Sequence, residues 1–151
     1  MSEKKIRGGS LIARALKDKG IQHVFTLSGG FCNPALEGFM ECQMEVINCP
    51  HEQIAGHIAD GHTRITRKPA VCLVGPEGFA NAVPSMMEAW GERSPVIFIT
   101  GSSSLKRQGS GGFKDIEDVA IAAPQTQNRS SITDCTKSRG FVHKAHRIST
   151  N

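Results

Sequence analysis

The sequence predicts an α/β fold, an open parallel sheet with helices on both faces. Helical and strand-like patterns alternate almost from the start of the chain. The strand-like runs are short and continuously apolar, as in sheets buried on both sides. The segments between them are long enough to hold a helix, which a parallel connection requires.

Residues 9–19 read as the first helix, with Leu11, Ile12, Ala15 and Leu16 on one stripe and Gly20 as its stop. His23-Val24-Phe25-Thr26-Leu27 is a buried strand halted by Ser28-Gly29-Gly30. Asn33-Pro34 opens a second helix through Ala35, Leu36 and Phe39, with proline at a first-turn position. Residues 45–49 form the second strand. Pro50 and His51 break its alternation, and a helix rich in small residues runs over 52–65, where Ala55, Gly56, Ala59 and Gly61 permit close packing on a neighbour. Residues 70–74 are the third strand. Gly75-Pro76-Glu77-Gly78 turns into a helix reaching Trp90, and residues 96–100 are the fourth strand. Residues 102–112, rich in Gly and Ser, read as a surface loop or lid. A short helix is expected over 115–122, an extended passage from Pro124, and a last helix over 137–148 with no strand after it.

A chain of 151 residues accommodates one domain with a real core, here spanning 1–151. Aromatics make up 5% of it, with no Tyr and one Trp, which argues against a stacking platform for nucleic acid. The net charge of +4 is mild. Arg129, Lys137, Arg139, Lys144 and Arg147 concentrate near the C-terminus with the spacing of a solvated helix face, and His143 and His146 read as surface residues of that helix. The five cysteines include no C-x-x-C pair, and Cys49 and Cys72 sit inside apolar strands as small core residues. No leader-like segment and no membrane-spanning run are present in the sequence, so the expectation is a reduced, cytoplasmic protein without nucleic-acid or membrane partners.

Glu52 stands out because it lies where a strand hands over to a helix, and open α/β sheets place their chemistry at the carboxyl ends of strands. The same end of the sheet carries Gly29-Gly30 and the loop Gly75 to Asn81. Glycine-rich turns let backbone approach a flat ligand closely. One carboxylate between two such turns suits a ring that needs one strong hydrogen bond. His51-Glu52 lacks the second histidine of a zinc-protease helix, since position 55 is Ala and His57 is on another face. No metal site is expected in this chain. The Gly75–Asn81 turn lacks both the dinucleotide fingerprint and the Lys-Ser/Thr of a P-loop.

Together these residues resemble the pyrimidine-binding (PYR) domain of thiamine-diphosphate enzymes, in the acetolactate-synthase-like group that includes oxalyl-CoA decarboxylase and benzaldehyde lyase. The motifs are Gly9-Ser10-Leu11 with Gly20-Ile21-Gln22-His23-Val24-Phe25, then the run from His51 to Arg64, then Gly78-Phe79-Ala80-Asn81-Ala82-Val83, and Ser94-Pro95-Val96-Ile97-Phe98-Ile99-Thr100-Gly101. The resemblance implies that Glu52 hydrogen-bonds the ring nitrogen of the cofactor's aminopyrimidine and so favours the imino form of its exocyclic amine. It implies that Gly30, Gly78 and Asn81 line the same pocket. It implies thiamine diphosphate as cofactor, and decarboxylation of a 2-oxo acid or carbon–carbon bond ligation or cleavage as reaction class.

The sequence departs from the family at Pro76-Glu77-Gly78, where Gly-Pro-Gly is usual, at Gly61-His62-Thr63-Arg64, where Gly-Tyr-Ala-Arg is usual, and at Phe113-Lys114, where acetolactate synthases carry Phe-Gln. No Gly-Asp-Gly signature for magnesium occurs. The expectation is therefore a truncated PYR domain without its final strand. Such a chain would be incomplete alone and would pair with the diphosphate-binding domain of another subunit or of a full-length relative, which would bring the magnesium. It would self-associate through its bare sheet edge. The alternative is a non-catalytic truncated module that docks on a full-length relative.

Overall fold

The computed structural model describes residues 7–150. In chain order it contains α1 (Gly8–Lys17), β1 (His23–Thr26), α2 (Asn33–Glu41), β2 (Glu45–Asn48), α3 (Glu52–Thr66), β3 (Ala70–Val74), α4 (Pro76–Gly91), β4 (Val96–Thr100), α5 (Asp118–Ile121) and α6 (Ser138–Ser149). Single 3-10 turns occupy Leu105–Arg107, Ala123–Gln125 and Cys135–Lys137. The four strands form one parallel sheet in the order β2-β1-β3-β4. Both β2 and β4 are edges among the described residues.

Successive side chains of a strand point to opposite faces, and here each face feeds its own core. Val24, Val71, Leu73 and Ile97 join Leu16 of α1, Phe39 of α2 and Val142 of α6 on one side. Phe25, Cys72 and Val74 join Ala55 and Ala59 of α3 and Phe79, Ala82 and Met86 of α4 on the other. The register places Phe25 opposite both Ile47 and Cys72, so the apolar rows align across the sheet. Cys49 and Cys72 are both buried core residues, but only Cys72 lies in a strand; β2 ends at Asn48, one residue before Cys49.

Two glycines set the tightest contact of the first layer. A Cβ on Gly38 would lie 2.6 Å from the carbonyl carbon of Gly9 and 2.8 Å from the amide nitrogen of Ser10. A Cβ on Gly9 would run into the backbone of Pro34 in return. Helices α1 and α2 therefore touch backbone to backbone. In the second layer a Cβ on Gly56 would strike Ser85 of α4, whereas Gly61 has open space beside it. Of the small residues expected to bring α3 close to a neighbour, Gly61 does not.

Three differences from the sequence reading have local causes. The short helix begins at Asp118 rather than at 115, because the Asp115 carboxylate turns back to accept the Gly111 amide at 3.0 Å and closes a turn instead. Pro124 starts no extended passage but sits in a 3-10 turn. Gln125 Nε2 and Thr126 Oγ1 donate to the carbonyls of Ile121 and Ala122, at 2.6 and 2.7 Å, and hold that turn shut. The 102–112 loop contains the 3-10 turn Leu105–Arg107. No described helix is long and apolar enough to cross a membrane.

Candidate functional site

Strand order β2-β1-β3-β4 places a topological switch point between β1 and β3. The connection after β1 leaves toward the α1/α2 face and that after β3 toward the α3/α4 face, so the carboxyl ends of these strands flank the crevice position at which open α/β sheets bind ligands. Glu52 comes from the β2–α3 junction, Gly30 from the β1–α2 turn, and Gly78 and Asn81 from the start of α4.

Glu52 is the first residue of α3. His51 caps that helix in extended backbone, its Nδ1 accepting the Gln53 amide at 3.1 Å. The N-terminal end of a helix favours a carboxylate. The side chain of Glu52 is half-buried. Its Oε2 accepts a hydrogen bond from Asn81 Nδ2 at 3.2 Å. A Cβ on Gly78 would lie 2.5 Å from Glu52 Oε1 and 2.8 Å from its Cδ, so only glycine leaves room for the carboxyl group there. Gly78 and Asn81 are three residues apart on a helix and so share a face.

Helices α3 and α4 are locked along their length. Gly56 seats Ser85, whose hydroxyl donates to the Ala82 carbonyl at 2.6 Å. Farther along, Arg64 binds Asp60 at 2.6 Å and reaches across to Glu88 at 3.0 Å. Glu52 and its two partners thus rest on one docked pair of helices.

Gly30 is exposed in a turn where the Gly29 carbonyl accepts the Cys32 amide at 2.8 Å, and a Cβ at either glycine would meet nothing within 4 Å. This turn leaves open space at the head of β1 and makes no contact of its own with Glu52. Burial pushes the thiol of Cys32 up, and the nearby Glu77 and Glu52 charges push the same way.

A second set of residues, outside the sequence-predicted site, borders it. Lys114 pairs with Glu77, one residue before Gly78, and its ammonium lies 5.3 Å from the ring centre of Phe31 and 5.2 Å from that of Phe113. Hydrogen bonding to Lys114 holds the Glu77 carboxyl below the usual carboxylate range. The pair fixes the end of the 102–112 loop against the crevice. Changing Lys114 to Ala is expected to speed amide hydrogen exchange over residues 105–114 while leaving β1 and β3 protected; unchanged exchange in the loop would show that the pair does not hold it.

Asp118, at the start of α5, is buried; its Oδ2 accepts from Thr100 Oγ1 at 3.3 Å, and its Oδ1 has no partner among the described residues. Burial, with Glu117 and Glu77 adding to it, pushes its pKa from 3.8 up to about 6. The folded state thus holds a proton that the unfolded chain releases. Stability falls as pH rises from about 4 to about 6 and stays reduced above that. Asp118→Asn removes the penalty. It should raise stability by roughly 1–3 kcal/mol at pH near 8 and by almost nothing at pH near 4, read from denaturant midpoints. An equal effect at both pH values would mean that the charge is not the cause.

The sequence carried faint signals for both residues. Lys114 occupies a position where the resembled family differs, and Asp118 follows Glu117 as an acid in an otherwise apolar short helix.

Residues 6–121 match the family described as "Thiamine pyrophosphate enzyme, N-terminal TPP binding domain". An acetolactate synthase large subunit of Mycobacterium tuberculosis is 37% identical over 120 residues, which is 79% of this chain and 22% of that protein. A probable acetolactate synthase large subunit of Methanocaldococcus jannaschii is 31% identical over 129 residues, covering 84% of this chain and 22% of that one. The chain therefore spans about a fifth of the length of these curated relatives. Among solved structures, a thiamine diphosphate-dependent 4-hydroxybenzoylformate decarboxylase of Rhodococcus jostii RHA1 superposes with a TM-score of 0.89 at 18% identity, over 96% of this chain and 28% of that one. At that identity the likeness is one of fold.

Proposed function

Because the chain belongs to the thiamine pyrophosphate enzymes as an N-terminal cofactor-binding domain, we propose that it builds the aminopyrimidine half of a thiamine diphosphate site, with Glu52 as the proton-sharing group. The observation that carries this reading is the carboxylate of Glu52, seated against Gly78 and tied by one oxygen to Asn81. These residues fit a flat, basic ring. One carboxylate oxygen is fixed by Asn81, the place of a side chain at 78 is taken by the carboxylate itself, and the Gly29–Gly30 turn leaves space at the neighbouring strand end.

Bound thiamine diphosphate supplies the carbon–carbon bond chemistry, and the protein supplies position and electrostatics. Glu52 would hold a proton between its carboxylate and the pyrimidine ring nitrogen. Asn81 keeps that carboxylate from swinging toward solvent, and the α3–α4 seam fixes both. Gly30 and the turn around it would border the ring on its other side. The diphosphate and its magnesium would be held by a separate diphosphate-binding domain, within the same polypeptide or on another subunit or a full-length relative. The reaction class we assign is that of acetolactate-synthase-like enzymes, decarboxylation of a 2-oxo acid or ligation or cleavage of a carbon–carbon bond.

The test is an NMR titration of the full chain, mixed with a diphosphate-binding domain of a relative, with thiamine diphosphate and magnesium. The Asn81 side-chain amide and the Gly78 backbone amide should shift together on binding. Cofactor binding that leaves both unmoved would overturn the role of Glu52. Binding with those shifts but without turnover would favour a docking module over half of an enzyme.

A further inference from the structure

The basic residues near the C-terminus do not share one solvated face. Lys137 pairs with Asp134 at 3.8 Å and Arg139 with Asp18 at 3.6 Å. Lys144 and Arg147 turn elsewhere. With His143, His146 and the half-buried Lys19 they line a groove of about 500 Å³ between the end of α1 and the last helix. Among the described residues no carboxylate lines this groove, and Lys19, Lys144 and Arg147 form no ion pair there. Gly140 lies in its wall, and a Cβ there would meet nothing within 4 Å. His143 and His146 are half-buried rather than surface residues, and His143 Nε2 is buried with no hydrogen-bond partner among the described residues.

These cations do not serve as helix caps. The His146 carbonyl near the end of α6 is already taken by the Thr150 amide at 3.1 Å and by the hydroxyls of Ser149 and Thr150, each at 2.9 Å. The imidazole of His146 is held below its usual pKa by burial, with the charges of Lys19 and His143 adding to it. An anion seated among these like charges would be attracted by all of them. A monovalent anion would leave most of that charge uncompensated. Arg and Lys together match phosphate oxygens in both geometry and charge.

We propose that this groove binds a soluble small molecule carrying two or more phosphate groups, through Lys19, Lys144 and Arg147. It is separate from the crevice at Glu52. Lys19 lies between α1 and the amino end of β1, whereas Glu52 follows the carboxyl end of β2. No Phe, Tyr or Trp lines the groove, so it lacks the large aromatic faces on which single-stranded nucleic acids stack.

The experiment is a titration of the full chain with inorganic pyrophosphate, followed by calorimetry and by the imidazole resonances of His143 and His146, with sulfate as the comparison anion. Pyrophosphate should bind saturably at one site, shift both imidazoles and bind more tightly than sulfate. The double variant Lys144→Glu/Arg147→Glu, whose parent side chains are exposed, should weaken it by about tenfold or more. Absence of saturation, equal binding of sulfate, or full affinity in the double variant would each overturn the proposal.

Discussion

Adding one methyl group at Gly38 is expected to lower stability by about 3 kcal/mol or more, a fall in Tm of roughly 10 °C for a domain of this size. The new Cβ would sit 2.6 Å from both the carbon and the oxygen of the Gly9 carbonyl. Backbone cannot rotate away as a side chain can, so α1 and α2 must separate. That separation opens the core around Leu16 and Phe39, both fully buried. Alanine is the better helix former by only about 1 kcal/mol, so the clash decides the sign. Gly61→Ala is the matched control. It lies inside α3 with nothing within 4 Å, and the same substitution there should stabilise by up to about 1 kcal/mol. Calorimetry on both variants checks the pair, and a Gly38→Ala protein that melts with the parent would refute the backbone contact.

Glu52→Gln is expected to reduce turnover by about 10²–10⁴-fold in an assembly completed by a diphosphate-binding domain, the usual worth of a positioned proton-transfer group. Glutamine keeps the shape and still accepts from Asn81, so cofactor affinity should change far less than turnover. Gly78→Ala should produce a loss of the same kind with the carboxylate still present, because the added methyl displaces it from its seat at 2.5–2.8 Å. Since both changes act on one group, the double variant should be little worse than Glu52→Gln alone. Steady-state rates of the three variants test this. A Glu52→Gln protein within about tenfold of the parent rate would remove Glu52 from the proposed chemistry.

The sheet was legible because β3 and β4 are nearly continuous apolar runs and because neighbouring strand residues feed two different cores, as Val24 and Phe25 do. The sequence singled out Glu52 by its place at a strand-to-helix junction and Gly78 and Asn81 only through the family resemblance; the fold brings the three side by side. The contact of Glu77 with Lys114 was not legible. The two are 37 positions apart, joined through a loop with no hydrophobic period to fix its path. The boundary of α5 was missed because Asp115 reads as a helix start but bonds backward to Gly111. The basic helix misled for a related reason. Spacing places Arg139 and Lys144 on a helix, but only the packing of α6 beside α1 decides that one meets Asp18 and the other a hollow.

The seam of Gly56 against Ser85, continued by Arg64 between Asp60 and Glu88, is expected to make α3 and α4 a single cooperative unit in unfolding. Glu52, Gly78 and Asn81 all belong to that unit and none to the opposite layer. Heating or mild denaturant that frays α1 and α2 first would therefore leave the trio's spacing intact. A partly opened chain could still present its acid ready for a ring to settle against, and lose that readiness only when the last slowly exchanging amides go.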